Sequence, residues 1–186
     1  MKKKLSEMSL EELWQLFPIF LAEHRDCWKE WYLEEENLLK KALPAIKRIS
    51  HIGSTAVSYI WAKPIIDILI EIPKEGDLID YKALIINTGY ICMSQSEDRI
   101  SFNKGFTENG FAERVFHLHL RYEGDNDELY FRDYLIEHPN AAKEYEELKL
   151  KLWKEYKHNR DGYTNAKTEI VKKCTEQAKI LYGNRY

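Results

Sequence analysis

The chain has 186 residues, 44% apolar and 32% charged, with a formal net charge of −3. Those proportions are ordinary for a soluble globular protein, and the length suits one domain with a helical appendage. The charge supplies no global attraction for nucleic acid, and no apolar run reaches the roughly 20 residues of a membrane helix.

The first residues lack the apolar core of a signal peptide, so the cytoplasm is the expected compartment. Lys2 to Lys4 form a small basic tip that reads as a solvated terminus. Cys27, Cys92 and Cys174 are odd in number and far apart. They imply reduced, partly buried thiols, not a disulfide frame or a structural zinc site.

Ser9-Leu-Glu-Glu12 reads as a capping box opening a short helix. Pro18 suits the first turn of a second helix, with Phe20, His24, Cys27, Trp31, Leu38 and Leu39 on one apolar face and Pro44 ending it. Residues 46–52 read as a strand leading to a Gly-Ser turn, and residues 55–61 as a helical turn. Pro64 opens the next strand, with Ile66, Ile68 and Ile70 on one face and Asp67, Leu69 and Glu71 on the other. A helix over 78–87 with Gly89 just past its end follows. Strands are expected over 90–94, 99–103 and 114–122, with a turn-rich loop at 105–110. The rest reads as helical. One helix covers 129–137. A second starts at Pro139, with Ala141, Tyr145, Leu148, Leu152 and Tyr156 in a stripe and Asp161-Gly162 as its break. A last helix runs over 163–182. The whole is an α/β (α+β) plan: N-terminal helices over 1–44, a mixed-sheet core over 45–125 and C-terminal helices over 126–186.

The chemistry concentrates in His51-Ile-Gly-Ser-Thr-Ala-Val57 and the strand after it. A Gly-Ser turn at a helix start offers backbone N–H groups and a hydroxyl to phosphate oxygens, which makes Gly53, Ser54 and Thr55 phosphate-binding candidates. The bland alternative is a strand-to-helix turn in which Gly53 relieves crowding and Ser54 caps. Asp67, on a rigid strand a dozen residues on, is placed to hold a divalent metal against the same phosphates. Glu71 shares its strand face but lies roughly 13 Å further along, too far for joint ligation. Otherwise it sits solvated or pairs with a lysine. Lys63 offers a charge to phosphate, and His51 precedes the turn. His117 and His119 share one strand face with Cα atoms roughly 7 Å apart, a spacing that suits a metal, a phosphate or simply hydrogen bonds to neighbours. A P-loop and a Gly-x-Ser-x-Gly elbow are both missing, which argues against a P-loop kinase and an elbow-type hydrolase.

Residues 51–57, Ala62-Lys-Pro-Ile-Ile-Asp-Ile68, Phe116-His-Leu-His-Leu120, Phe131-Arg-Asp-Tyr-Leu135 with His138-Pro139, and Tyr163-Thr-Asn-Ala-Lys167 occur in an order that resembles the GrpB family, within the nucleotidyltransferase-fold superfamily. The resemblance spans about residues 45 to 170. It implies a nucleotidyltransferase-like mixed sheet flanked by helices. It makes Asp67 the first metal-binding carboxylate and the catalytic residue, places His117 and His119 where a third carboxylate strand stands, and brings Arg132 and Lys167, with Tyr163, over a triphosphate. At the second carboxylate position stands Leu69, which cannot ligate.

The implied function is transfer of a nucleoside monophosphate from a nucleoside triphosphate to an unknown acceptor. A divalent metal (Mg, Mn or Zn) would be held by Asp67, His117 and His119. Leu69 favours an alternative, a catalytically relaxed nucleotide-sensing or interaction module. For this module the resemblance suggests a dephospho-coenzyme A kinase as partner. A metal-dependent phosphohydrolase using the His-x-His pair is a third reading.

Overall fold

The computed structural model of the chain describes residues 3–186, so Lys2 of the basic tip lies outside the described residues. Its strands are β1 (Arg48–Ile52), β2 (Ile66–Ile72), β3 (Ile91–Gln95), β4 (Arg99–Thr107) and β5 (Gly110–Tyr122), and they form one sheet in the order β1-β2-β5-β4-β3. Only the central pair, β2 and β5, is parallel; the other three pairings are antiparallel. The helices are α1 (Leu10–Leu16), α2 (Cys27–Ala42), α3 (Leu78–Asn87), α4 (Asp127–Glu137), α5 (Pro139–Glu155), α6 (Arg160–Asn165) and α7 (Thr168–Tyr182). No helix among the described residues is long and apolar enough to cross a membrane.

Strand alternation divides the molecule. Ile66, Ile68, Ile70 and Ile72 of β2, with Phe116, Leu118 and Leu120 of β5, face one main core with Trp28, Tyr32 and Leu39 of α2 and Leu78, Tyr81 and Ile85 of α3. The opposite face carries Asp67, Leu69 and Glu71, and each has a different surrounding. Leu69 is 1% exposed and packs with Ile52 and with Leu129 of α4. Glu71 is 1% exposed, accepts from Gly124 N and Asn126 Nδ2 at 3.0 and 2.9 Å, and pairs with Arg48 at 3.1 Å. Glu71 therefore supports the β5–α4 connection; it is neither solvated nor paired with a lysine. Only Asp67 is left for the site.

The capping box at Ser9 and Glu12 forms as expected, and α3 has the expected bounds. Pro18 does not open a helix. The chain stays extended there because Ile19 N donates to the Lys157 carbonyl and Ala22 pairs with Ala62 in both directions, a tertiary ladder that outweighs local helical periodicity. The buried face of α2 is accordingly rotated by one residue, to Trp28, Tyr32, Glu35 and Leu39, and leaves Leu38 exposed. The expected loop at 105–110 is instead the end of the β4–β5 hairpin. Gly105 (φ +87°) makes its bulge, where a Cβ would come within 2.2 Å of the Arg114 carbonyl oxygen. Asp161-Gly162 lies inside α6. The break falls earlier, after Glu155, and Asn159 caps the new helix through Gly162 N at 2.8 Å.

Candidate functional site

The turn after β1 places Gly53 directly on Asp67. Gly53 has φ +71°, and a Cβ there would stand 2.4 Å from Asp67 Oδ2. Glycine is thus needed twice at one position, for its left-handed backbone and for the carboxylate packed against it. In the central parallel pair Asp67 sits opposite His117 and Leu69 opposite His119. Asp67 Oδ1 lies 3.4 Å from His117 Nδ1 and 3.8 Å from His119 Nε2. The His117 ring stacks on Phe106, with centroids 5.6 Å apart, and its Nε2 is buried without a hydrogen-bond partner.

Burial acts to raise the Asp67 carboxyl, but the adjacent His117 and His119 imidazoles outweigh it and hold Asp67 well below the usual carboxylate range. Burial pushes His117 below its ordinary value, against the pull of Asp67. The result at neutral pH is an ionised carboxylate beside two imidazoles.

The oxygen and nitrogen donors suit zinc or manganese better than magnesium. Among the described residues, however, no three His, Cys, Asp or Glu side chains converge as a metal cage. What fits is a partial set, Asp67 with one or both imidazoles, which requires ligand oxygens from elsewhere to fill a coordination shell.

Three cations feel the charge of this carboxylate, and a fourth, Lys149, adjoins two of them. Lys63 precedes β2, Lys149 lies in the middle of α5, Arg160 begins α6 and Lys167 joins α6 to α7. Among the described residues none of the four has a carboxylate within 4.0 Å. Lys149 is only 2% exposed, donates to Ser54 Oγ at 3.1 Å and to the Trp61 carbonyl, and stands 4.8 Å from the Tyr145 ring centre. Lys63 and Lys167 both approach the Tyr163 ring, at 5.6 and 4.3 Å. Burial, then the charges of Lys167 and Arg160, pushes Lys63 down to about 7. Burial, then the charge of Lys167, lowers Lys149 to about 7 against the pull of Glu146, and burial lowers Lys167 to about 8 against that of Asp67. Crowded cations without a carboxylate partner are costly to keep charged, and an anion would pair with them and offset their mutual repulsion.

Lys149 and Arg160 were not evident from sequence motifs. Lys149 had a signal: the buried stripe of α5 is Ala142, Tyr145, Lys149 and Leu152, so a lysine occupies a core position between Tyr145 and Leu152, while Leu148 is displaced to the edge. Arg160 had none, because only the fold-back of α6 brings it near Asp67.

Three residues expected near phosphate or the turn are used elsewhere. Thr55 is buried; its hydroxyl donates to the Ile65 carbonyl at 3.3 Å and contacts His51 Nε2 at 2.9 Å, so His51 must carry its proton on Nε2. His51 stacks on Tyr32, and burial lowers it to about 4. Arg132 donates to the His51 carbonyl at 3.0 Å and the Tyr186 hydroxyl at 2.9 Å and pairs with Asp133 at 2.7 Å. Arg132 thus fastens α4 to β1 and the C-terminus, and among the described residues no contact joins it to Asp67.

The sequence matches the family described as GrpB protein over residues 18–177. It is 33% identical over 183 residues to UPF0157 protein YqkA of Bacillus subtilis, covering 95% of this chain and 52% of that protein. The chain thus spans about half the length of that relative. To Glutamate-rich protein GrpB of Alkalihalophilus pseudofirmus it is 35% identical over 161 residues, covering 82% of this chain and 91% of that one. The fold is similar to the crystal structure of conserved protein GrpB from Enterococcus faecalis, with a TM-score of 0.75 and 30% identity over 88% of this chain and 99% of that one.

Proposed function

The chain belongs to the GrpB family, and on that footing we propose that it binds a nucleoside triphosphate with a divalent metal and transfers the nucleoside monophosphate to an acceptor. One observation carries the reading: the Gly53-Ser54 turn holds its hydroxyl on buried Lys149, with three further unpaired cations around ionised Asp67. That is a place for a polyanion next to a place for a metal.

Lys63, Lys149 and Lys167 would bind the phosphate tail, with Ser54 Oγ as a further partner. Asp67, with His119 or His117, would hold the metal, which supplies Lewis-acid polarisation of phosphate oxygen when bound. The acceptor oxygen attacks the α-phosphorus as the bond to the bridging oxygen of the β-phosphate breaks. The acceptor proton passes to whichever of His117 and His119 is not holding the metal, and pyrophosphate leaves on the lysines. The test is titration with ATP and manganese, together with transfer of labelled α-phosphate. Ser54→Ala and Lys149→Met should weaken ATP binding; unchanged affinity in both would remove the reading.

Leu69 favours the second reading, a nucleotide-sensing module without turnover. Its side chain is locked into the Ile52 and Leu129 cluster, so the second-carboxylate position faces packed side chains. ATP binding with no label transferred to any acceptor would select it.

A further inference from the structure

Lys63 and Arg160 do more than face Asp67. They also line a cavity of about 140 Å³. Part of its wall is apolar: Ile19, Ile65 and Val115 are each buried. Trp31, Phe20 and Phe111 extend that wall toward the opening. The Arg160 guanidinium lies 5.6 Å from the Phe106 ring centre and 6.0 Å from that of Phe111. Phe106 in turn stacks on His117, so one ring links Arg160 to the imidazole beside Asp67. The remaining charges there, Arg25 and Glu113, are exposed and of opposite sign. The inner charge is therefore positive, and neither inner cation has a carboxylate within 4.0 Å among the described residues.

We propose that this cavity binds a small organic anion with a compact apolar body, its carboxylate on Arg160 and its body against Ile19, Ile65 and Val115. The acceptor role of this anion rests on the transfer reading; its binding does not. Size sets one limit, since an apolar cavity of about 150 Å³ holds a single benzene. Charge sets the other. A half-buried guanidinium beside an apolar wall gains charge-assisted hydrogen bonds from a carboxylate and nothing from an amine.

The test uses the full chain with benzoate, benzyl alcohol and benzylamine as probes, first without nucleotide and then with ATP. Ligand-observed NMR titration reads the affinities. Benzoate should bind about tenfold more tightly than benzyl alcohol, the factor for one hydrogen bond to a charged group, and benzylamine should not bind. Arg160→Gln should remove that preference. Ala112→Trp, at an exposed cavity-lining position, should block benzoate while the melting temperature stays near wild type. Equal affinity for the three probes, or benzoate binding that survives Ala112→Trp, overturns the proposal. So does competitive displacement of benzoate by ATP with loss of both in Ala112→Trp, which would make the cavity a base site. Benzoate binding without any ATP binding supports the cavity and removes the transfer reading.

Discussion

Lys149 Nζ lies 3.1 Å from Ser54 Oγ, across 95 positions of chain. This contact ties the middle of a C-terminal helix to the turn that follows β1, and it does so with a charge-bearing group inside the protein. Burying an ammonium is unfavourable unless hydrogen bonds or an anion compensate. Ser54 and the Trp61 carbonyl provide only neutral acceptors.

Lys149→Met separates support from function. Methionine keeps most of the volume and removes the buried charge, so stability should change by less than about 1.5 kcal/mol or rise. Affinity for a polyphosphate should fall by about tenfold or more. Urea unfolding and calorimetric titration measure the two. Strong destabilisation with unaltered affinity would make Lys149 a staple only.

Gly53→Ala should destabilise by about 1–3 kcal/mol, since alanine resists φ +71° and its Cβ would displace Asp67. Because the displaced group is the site carboxylate, manganese binding should weaken as well. Wild-type stability and manganese affinity together would show that the turn yields freely.

His51 sets an acid limit on stability. Its folded value is about 4 against an ordinary 6.5. Between those values the unfolded chain binds more protons, so stability is full above about pH 6.5 and is lost as pH falls toward 4. The loss is on the order of 2–3 kcal/mol. Gln at 51 retains a donor for Thr55 but cannot titrate. Urea unfolding at pH 7 and pH 5 should show a smaller decline in His51→Gln than in wild type; equal declines would assign the effect to other groups.

Much of this was legible in the sequence. Alternation in β2 correctly placed Asp67, Leu69 and Glu71 on one face, because a buried parallel strand leaves register little freedom. The His-x-His pair and Asp67 met because neighbouring parallel strands align them. What could not be read was the next layer of contact. Thr55, Glu71 and Arg132 are polar residues whose partners come from distant segments, and strand parity does not reveal whether a polar group faces a site or a neighbour. Leu69→Asp illustrates the difference. On an open strand face this change carries only a modest packing penalty. In the Ile52 and Leu129 cluster a carboxylate is buried unpaired, so the variant should lose more than about 3 kcal/mol and gain no metal affinity.

The lysine cluster makes a last prediction, in which the sign is the test. Lys63 and Lys149 lie at about 7 and Lys167 at about 8. Unfolded lysines titrate near 10.4, so between about pH 7 and 10 the unfolded chain holds more protons and the ligand-free protein gains stability as pH rises. A bound polyanion reverses the local balance. It favours the charged lysines, raises them toward their ordinary value and draws protons from solvent. At pH 8, inorganic tripolyphosphate should therefore bind with uptake of about one to two protons, and affinity should fall as pH rises toward 10. Calorimetry in buffers of different ionisation enthalpy counts those protons. The uptake should shrink in Lys149→Met and again in Lys149→Met/Lys63→Met, in step with the cations removed. Tripolyphosphate binding with no proton uptake in the wild type would mean that the anion sits away from these lysines, and the phosphate site would have to be sought elsewhere on the protein.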